Sequence, residues 1–136
     1  MILADTSAWI EYDRGTGSAV DRRIAELIAA DGPLAMTEPV LMEVLAGARD
    51  DAREGQLRRL LERCALLRFD PIADFDGATR IYRRCRAAGV TPRGLLDCII
   101  AAVAWRHEAV LLSCDADMQR VATVIGLVAD ATSVRE

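Results

Sequence analysis

Met1-Ile2-Leu3-Ala4-Asp5-Thr6-Ser7 opens the chain with a short apolar run, an acid and two hydroxyls. A continuous apolar run of that length reads as a strand buried on both faces. The same layout returns in Val110-Leu111-Leu112-Ser113-Cys114-Asp115, with Asp117 just beyond. Two such strands, each ending in a carboxylate, are the signature of a parallel sheet whose carboxyl edge carries the chemistry.

The segments between them read as helices. Ser7 to Tyr12 begins one, capped by Thr6 or Ser7, and Ser18 caps the next, where Val20, Ile24, Leu27 and Ile28 fall at helical spacing. Leu34-Ala35-Met36 is a strand, and Thr37 before Glu38-Pro39 starts a helix that runs to about Ala46-Gly47. Asp50 to Cys64 is helical, Leu66 to Phe69 a strand stopped by Asp70-Pro71, and Asp74 to Ala88 a helix ended by Gly89. Thr91-Pro92 marks a further helix start, with Thr as N-cap and Pro at N1, running to about His107. Ala109 to Ser113 is a strand, Asp117 to Ile125 a helix and Leu127-Val128 a last short strand. Strands separated by helices predict an α/β domain: a central parallel sheet of four to five strands flanked by helices. At 136 residues, without repeats or linkers, the chain reads as one domain over residues 1–136.

Four acids stand among apolar neighbours. Besides Asp5 and Asp115, Glu43 divides Val40-Leu41-Met42 from Val44-Leu45-Ala46, and Asp97 divides Leu95-Leu96 from Cys98-Ile99-Ile100. Each has a plain structural reading: Asp5, Asp115 or Asp117 as helix caps, Asp97 against a helix dipole, Glu43 on a solvent edge. Capping does not account for Glu43 and Asp97, which lie inside their segments. A lone carboxylate near a core is costly, whereas several converging on a hard cation are not. Mg²⁺, with Mn²⁺ as substitute, takes oxygen ligands, and such a site needs no His, Lys or Cys.

What the chain lacks narrows the chemistry. All 17 basic residues are arginine. Without lysine there is no P-loop, and the phosphate-handling Asp folds that rely on a nearby lysine are also excluded. His107 is the single histidine, placed at a helix end, and no G-x-S-x-G elbow supports a nucleophilic triad. Cys64, Cys85, Cys98 and Cys114 are widely spaced and read as reduced core thiols. A two-carboxylate glycosidase leaves the other acids unexplained. Neither a secretory leader nor a membrane span is legible, which predicts a soluble cytoplasmic protein.

Four segments together resemble the PIN-domain family: Ile2 to Ile10 with Asp5, Leu41 to Ala48 with Glu43, Leu96 to Ala104 with Asp97, and Leu111 to Met118 with Asp115. The resemblance covers nearly the whole chain; Ser113 and Met118 stand where Thr and Phe are more usual. It is strongest to the short VapC-type toxins of toxin–antitoxin pairs. It implies a Mg²⁺-dependent endoribonuclease, a homodimer, and inhibition by a cognate VapB-type antitoxin. By resemblance Asp5, Glu43, Asp97 and Asp115 are catalytic and metal-binding, Asp117 is an auxiliary ligand, and Thr6 and Ser113 are supporting hydroxyls. The competing reading keeps the fold as a catalytically silent interaction module for nucleic acid or protein.

A formal net charge of −4 suits RNA poorly until the five site acids are set aside, which turns it into +1. Between Ala78 and Arg93 lie Arg80, Arg83, Arg84, Arg86 and Arg93 and no acid. Arg93, four residues before Asp97, would share its face on a continuous helix; Arg93 and Arg86 are the expected RNA-phosphate contacts. Trp9 and Tyr12 are expected to pack in the core or an interface.

Overall fold

In the computed structural model, which describes residues 1–133, β1 (Ile2–Ala4) is hydrogen-bonded on both sides. The last three residues of the 1–136 domain lie outside the described residues. β1 pairs in parallel with β2 (Leu34–Met36) and β4 (Val110–Leu112), and β2 pairs in parallel with β3 (Ala65–Leu66). The sheet order is β3-β2-β1-β4. Every residue of β1 and β2 is buried, and successive strand residues face opposite ways, so both faces of the central sheet are covered. This is the α/β architecture the apolar runs predict.

Helices fill every connection: α1 (Thr6–Arg14) and α2 (Ala19–Ala29) join β1 to β2, α3 (Glu38–Ala46) and α4 (Asp51–Leu61) lead to β3, α5 (Pro71–Ala87) and α6 (Leu95–Arg106) lead to β4, and α7 (Ala116–Ile125) follows. The core is aliphatic, built from Leu3, Ile24, Met36, Ile100, Leu111 and Leu112 around a fully buried Trp9. Trp9 meets Tyr12 edge-on at 5.9 Å, so both aromatics are packing residues. α5 and α6 approach closely because Gly77 has no side chain; a Cβ there would sit 3.2 Å from that of Ala102. Arg106 holds the buried Asp74 through two bonds of 2.9 and 2.8 Å. His107 ends α6, and its ring meets the Arg68 carbonyl at 3.2 Å.

Five local expectations need correction. α1 starts at Thr6, and its N-cap is Asp5, which accepts from the Ala8 amide; neither Thr6 nor Ser7 caps it. β3 covers only Ala65–Leu66, and α5 begins at Pro71, three residues before Asp74, because Asp70 caps it and Pro71 supplies a pre-set first turn. Thr91-Pro92 does not start a helix: α6 begins at Leu95 behind Gly94, so Arg93 lies in a loop and not on the Asp97 helix. The strand expected at Leu127-Val128 is reduced to one parallel bridge, between Leu111 and Ala129.

Candidate active site

β1 and β4 lie side by side in register, with Leu3 opposite Leu111 and Ala4 opposite Leu112. The chain leaves β1 toward β2 on one side and returns as β4 on the other. This is the point in an open parallel sheet where a crevice forms beyond the strand ends. The Asp5 amide donates to the Leu112 carbonyl at 3.0 Å, tying the two strand ends together. Asp5 and Ser113 therefore meet although they are far apart in sequence.

Asp5 is 3% exposed. One carboxylate oxygen accepts from Ser7 Oγ at 2.6 Å and from the Ala8 amide at 3.0 Å; the other accepts from Ser113 Oγ at 2.5 Å. Burial pushes its pKa up against the pull of these three donors, with the Asp115 charge adding to the rise. Ser113 Oγ also accepts from the Asp115 amide at 3.1 Å. Ser7 Oγ accepts from the Cys114 amide at 2.9 Å and lies 3.3 Å from Ser113 Oγ. Ser7 thus laces both strand ends together. The sequence offered it only as a cap; the signal for this second role was the adjacency of two hydroxyls after a strand-terminal acid.

Glu43 reaches the same place from α3, where its carboxylate accepts from Thr6 Oγ1 at 2.5 Å. Thr6 and Ser113 thus hold one acid each. Asp115 caps α7 and Asp117 sits in its first turn. Asp97 is in the first turn of α6. Three helix N-termini accordingly present their positive ends to this cluster, offsetting part of its charge.

Asp97 differs from the others: among the described residues no side chain or amide hydrogen-bonds to it. Its pKa is pushed to about 6, first by burial and then by the charges of Asp115, Asp5 and Glu43. The acids the sequence singled out are thereby within electrostatic reach of one another.

Arg93 answers part of that charge from its loop. Its Nη2 meets Asp115 at 2.9 Å and its Nε donates to Asp117 at 2.9 Å. Arg120 also pairs with Asp117. Asp117 is held below the usual carboxylate range, chiefly by Arg93. Arg86 instead lies 6.0 Å from the Tyr82 ring. Among the described residues, no three Asp, Glu, His or Cys side chains stand as a ready-made ligand cage. The donor set is nonetheless all carboxylate and hydroxyl oxygen with a surplus of negative charge. That fits a hard cation which keeps several waters and takes only one or two carboxylates. A larger cavity, about 970 Å³, lies around Asp74, Trp105 and Arg106 and includes none of the site acids. Its Asp74–Arg106 pair is already committed to the fold.

The PIN domain family model matches residues 2–124. The chain belongs to the PIN domain family. This PIN domain is 44% identical, over 93% of its length and 96% of the relative's, to a protein named VapC ribonuclease Mb1587 from Mycobacterium bovis. The same values hold for ribonuclease VapC11 of Mycobacterium tuberculosis. Among solved structures, VapBC2 from Rickettsia felis bound to a promoter DNA fragment matches with a TM-score of 0.75 at 16% identity, covering 96% of this chain and 98% of the other. A toxin–antitoxin complex from Klebsiella pneumoniae matches with a TM-score of 0.71 at 22% identity, covering 95% and 97%. Those likenesses show that the PIN domain has the same fold as the matched chains. Among the described residues, no helix is long and apolar enough to cross a membrane.

Proposed function

We propose that this PIN domain is an endoribonuclease that depends on Mg²⁺, with Mn²⁺ as substitute, and acts as the toxin of a toxin–antitoxin pair. The observation that carries the catalytic part is Asp97. It is an unpartnered, half-buried carboxylate whose proton affinity is raised first by burial and then by three neighbouring acids at the carboxyl edge of the sheet. The names of the 44%-identical relatives support the ribonuclease activity. The VapBC complexes among the structural matches support a VapB-type antitoxin as partner. A homodimer and a cytoplasmic site of action complete the reading.

When bound, the cation lowers the pKa of a water and stabilises charge on the attacked phosphodiester. The chain's own residues do the positioning. Ser7, Ser113 and the Ala8 amide hold Asp5 in one orientation, and Thr6 holds Glu43. Asp97 stays free to take a ligand or a proton. Arg93 keeps Asp115 and Asp117 in place and offers its remaining guanidinium surface to the phosphate backbone. Arg93→Ala is expected to weaken RNA binding and to lower the salt dependence by about 0.7 in log–log slope, the loss of one single-strand phosphate contact. A fluorescence anisotropy series across salt concentrations reads both; an unchanged slope removes Arg93 from the RNA interface.

Induced expression of the chain tests the toxin role. Growth should stop and new RNA ends should appear, and co-expression of a cognate VapB-type antitoxin should restore growth. Uninterrupted growth with unaltered RNA ends contradicts the proposal.

A further inference from the structure

We propose that the cleft between α5 and the Pro92–Leu95 loop is a nucleotide subsite, which holds the nucleotide flanking the scissile phosphate of a single-stranded RNA. The proposal rests on the ribonuclease reading of the acid cluster and adds how that substrate is gripped. The cleft encloses about 580 Å³, a volume within the range of small-ligand sites. Its lining includes Tyr82, Arg83, Pro92, Arg93 and Leu95 and contains no acidic side chain.

Two features give it an occupant. The first is continuity: Arg93 lines the cleft and also bonds Asp115 and Asp117. A strand lying in the cleft is thus led to the acids along one guanidinium. The second is the pairing of surfaces. Arg83 and Arg93 supply two cations for phosphates, while the half-buried Tyr82 ring and the exposed Leu95 supply apolar surface for a base. Single-stranded RNA is bound by this combination, with bases stacked on aromatic rings or guanidinium planes and phosphates met by arginine. An acidic peptide would use the arginines but leave the ring and the apolar walls without a role, so the nucleotide is the better match.

The test uses the full chain and a fluorescent single-stranded oligoribonucleotide. Binding is read by anisotropy in EDTA, cleavage in Mg²⁺, and Mn²⁺ binding separately by loss of the free-ion resonance signal. Arg83→Ala should weaken oligonucleotide binding about tenfold and reduce the salt slope by about 0.7. Tyr82→Leu should weaken binding about tenfold with the slope unchanged, and Tyr82→Phe, which keeps the ring, should bind as the wild type. All three variants should bind Mn²⁺ normally. If the wild type cleaves RNA and the Arg83 and Tyr82 variants bind and cleave equally well, the subsite is overturned and the nuclease reading stands. If the variants lose binding but the wild type cleaves nothing in Mg²⁺ or Mn²⁺, the cleft is supported and the nuclease reading falls. An acidic peptide that displaces the oligonucleotide at equal concentration, with Tyr82→Leu indifferent, also overturns the subsite.

Discussion

Asp97→Asn is expected to stabilise the metal-free protein while removing its activity. At neutral pH the wild-type carboxylate is ionised in a half-buried position among three other acids. Its folded pKa of about 6 lies above the ordinary 3.8, so the folded chain binds this proton more tightly than the unfolded chain does. The sign follows from linkage. Stability from this group is fully present below pH about 4, falls as pH rises through the interval to about 6, and is lost above it. A shift of that size corresponds to about 3 kcal/mol at most, reduced by solvent screening at a half-exposed group to about 1–2 kcal/mol. The amide carries no charge and escapes the penalty, so melting in EDTA at pH 7.5 should rise by about 3–6 °C. At pH 4 the two proteins should melt together. Added Mg²⁺ should raise the wild-type melting temperature and leave the variant's unchanged, because a ligand stabilises only the folded state that binds it. Cleavage should fall about a thousandfold, in line with losing a charge-positioning group at a reacting centre. A variant that melts below the wild type in EDTA at pH 7.5 contradicts the electrostatic account of the cluster.

Asp5 should separate shape from charge. Asp5→Ala strands the Ala8 amide and the hydroxyls of Ser7 and Ser113 next to a buried cavity. Loss of a helix cap and of buried hydrogen bonds together should cost about 2–4 kcal/mol. Asp5→Asn keeps the acceptor for Ser7 and Ala8 and disturbs mainly the Ser113 bond, for about 1 kcal/mol. Cleavage should nevertheless be lost equally in both variants, by about a thousandfold. Denaturant melts and single-turnover cleavage, measured on the same preparations, check this. Activity that follows the folded fraction, with Asp5→Asn close to wild type, would reduce Asp5 to a structural cap.

The sequence was legible where local chemistry and tertiary fold point the same way. The apolar runs ending in Asp5 and Ser113 are strands because no other element buries such short segments on two faces. Their register then brings both ends to one edge. Thr6 and Ser113 were identified as supporting hydroxyls by resemblance, and each is bonded to one acid. The reading failed where two local signals competed. Asp5 and Thr6 were both credible caps, and the longer reach of the carboxylate to the Ala8 amide decided for Asp5. Thr91-Pro92 carries a strong helix-start signal, yet the helix waits for Gly94. Arg93 is left in a loop, able to reach Asp115 and Asp117 on another helix. No periodicity in one segment reveals such a contact. Arg83 was legible as one arginine among five, but only the packing of α5 beside the Pro92–Leu95 loop distinguishes it from Arg80 and Arg84.

The central claim is that these acids form one cation-dependent phosphodiesterase centre. It is tested most directly by incubating purified protein with end-labelled single-stranded RNA, in Mg²⁺ or in EDTA, beside Asp5→Asn. The account predicts discrete cleavage products with Mg²⁺, none in EDTA, restoration by excess Mg²⁺ or Mn²⁺, and none from the variant under any condition. Equal cleavage in EDTA, or equal cleavage by Asp5→Asn, would contradict it.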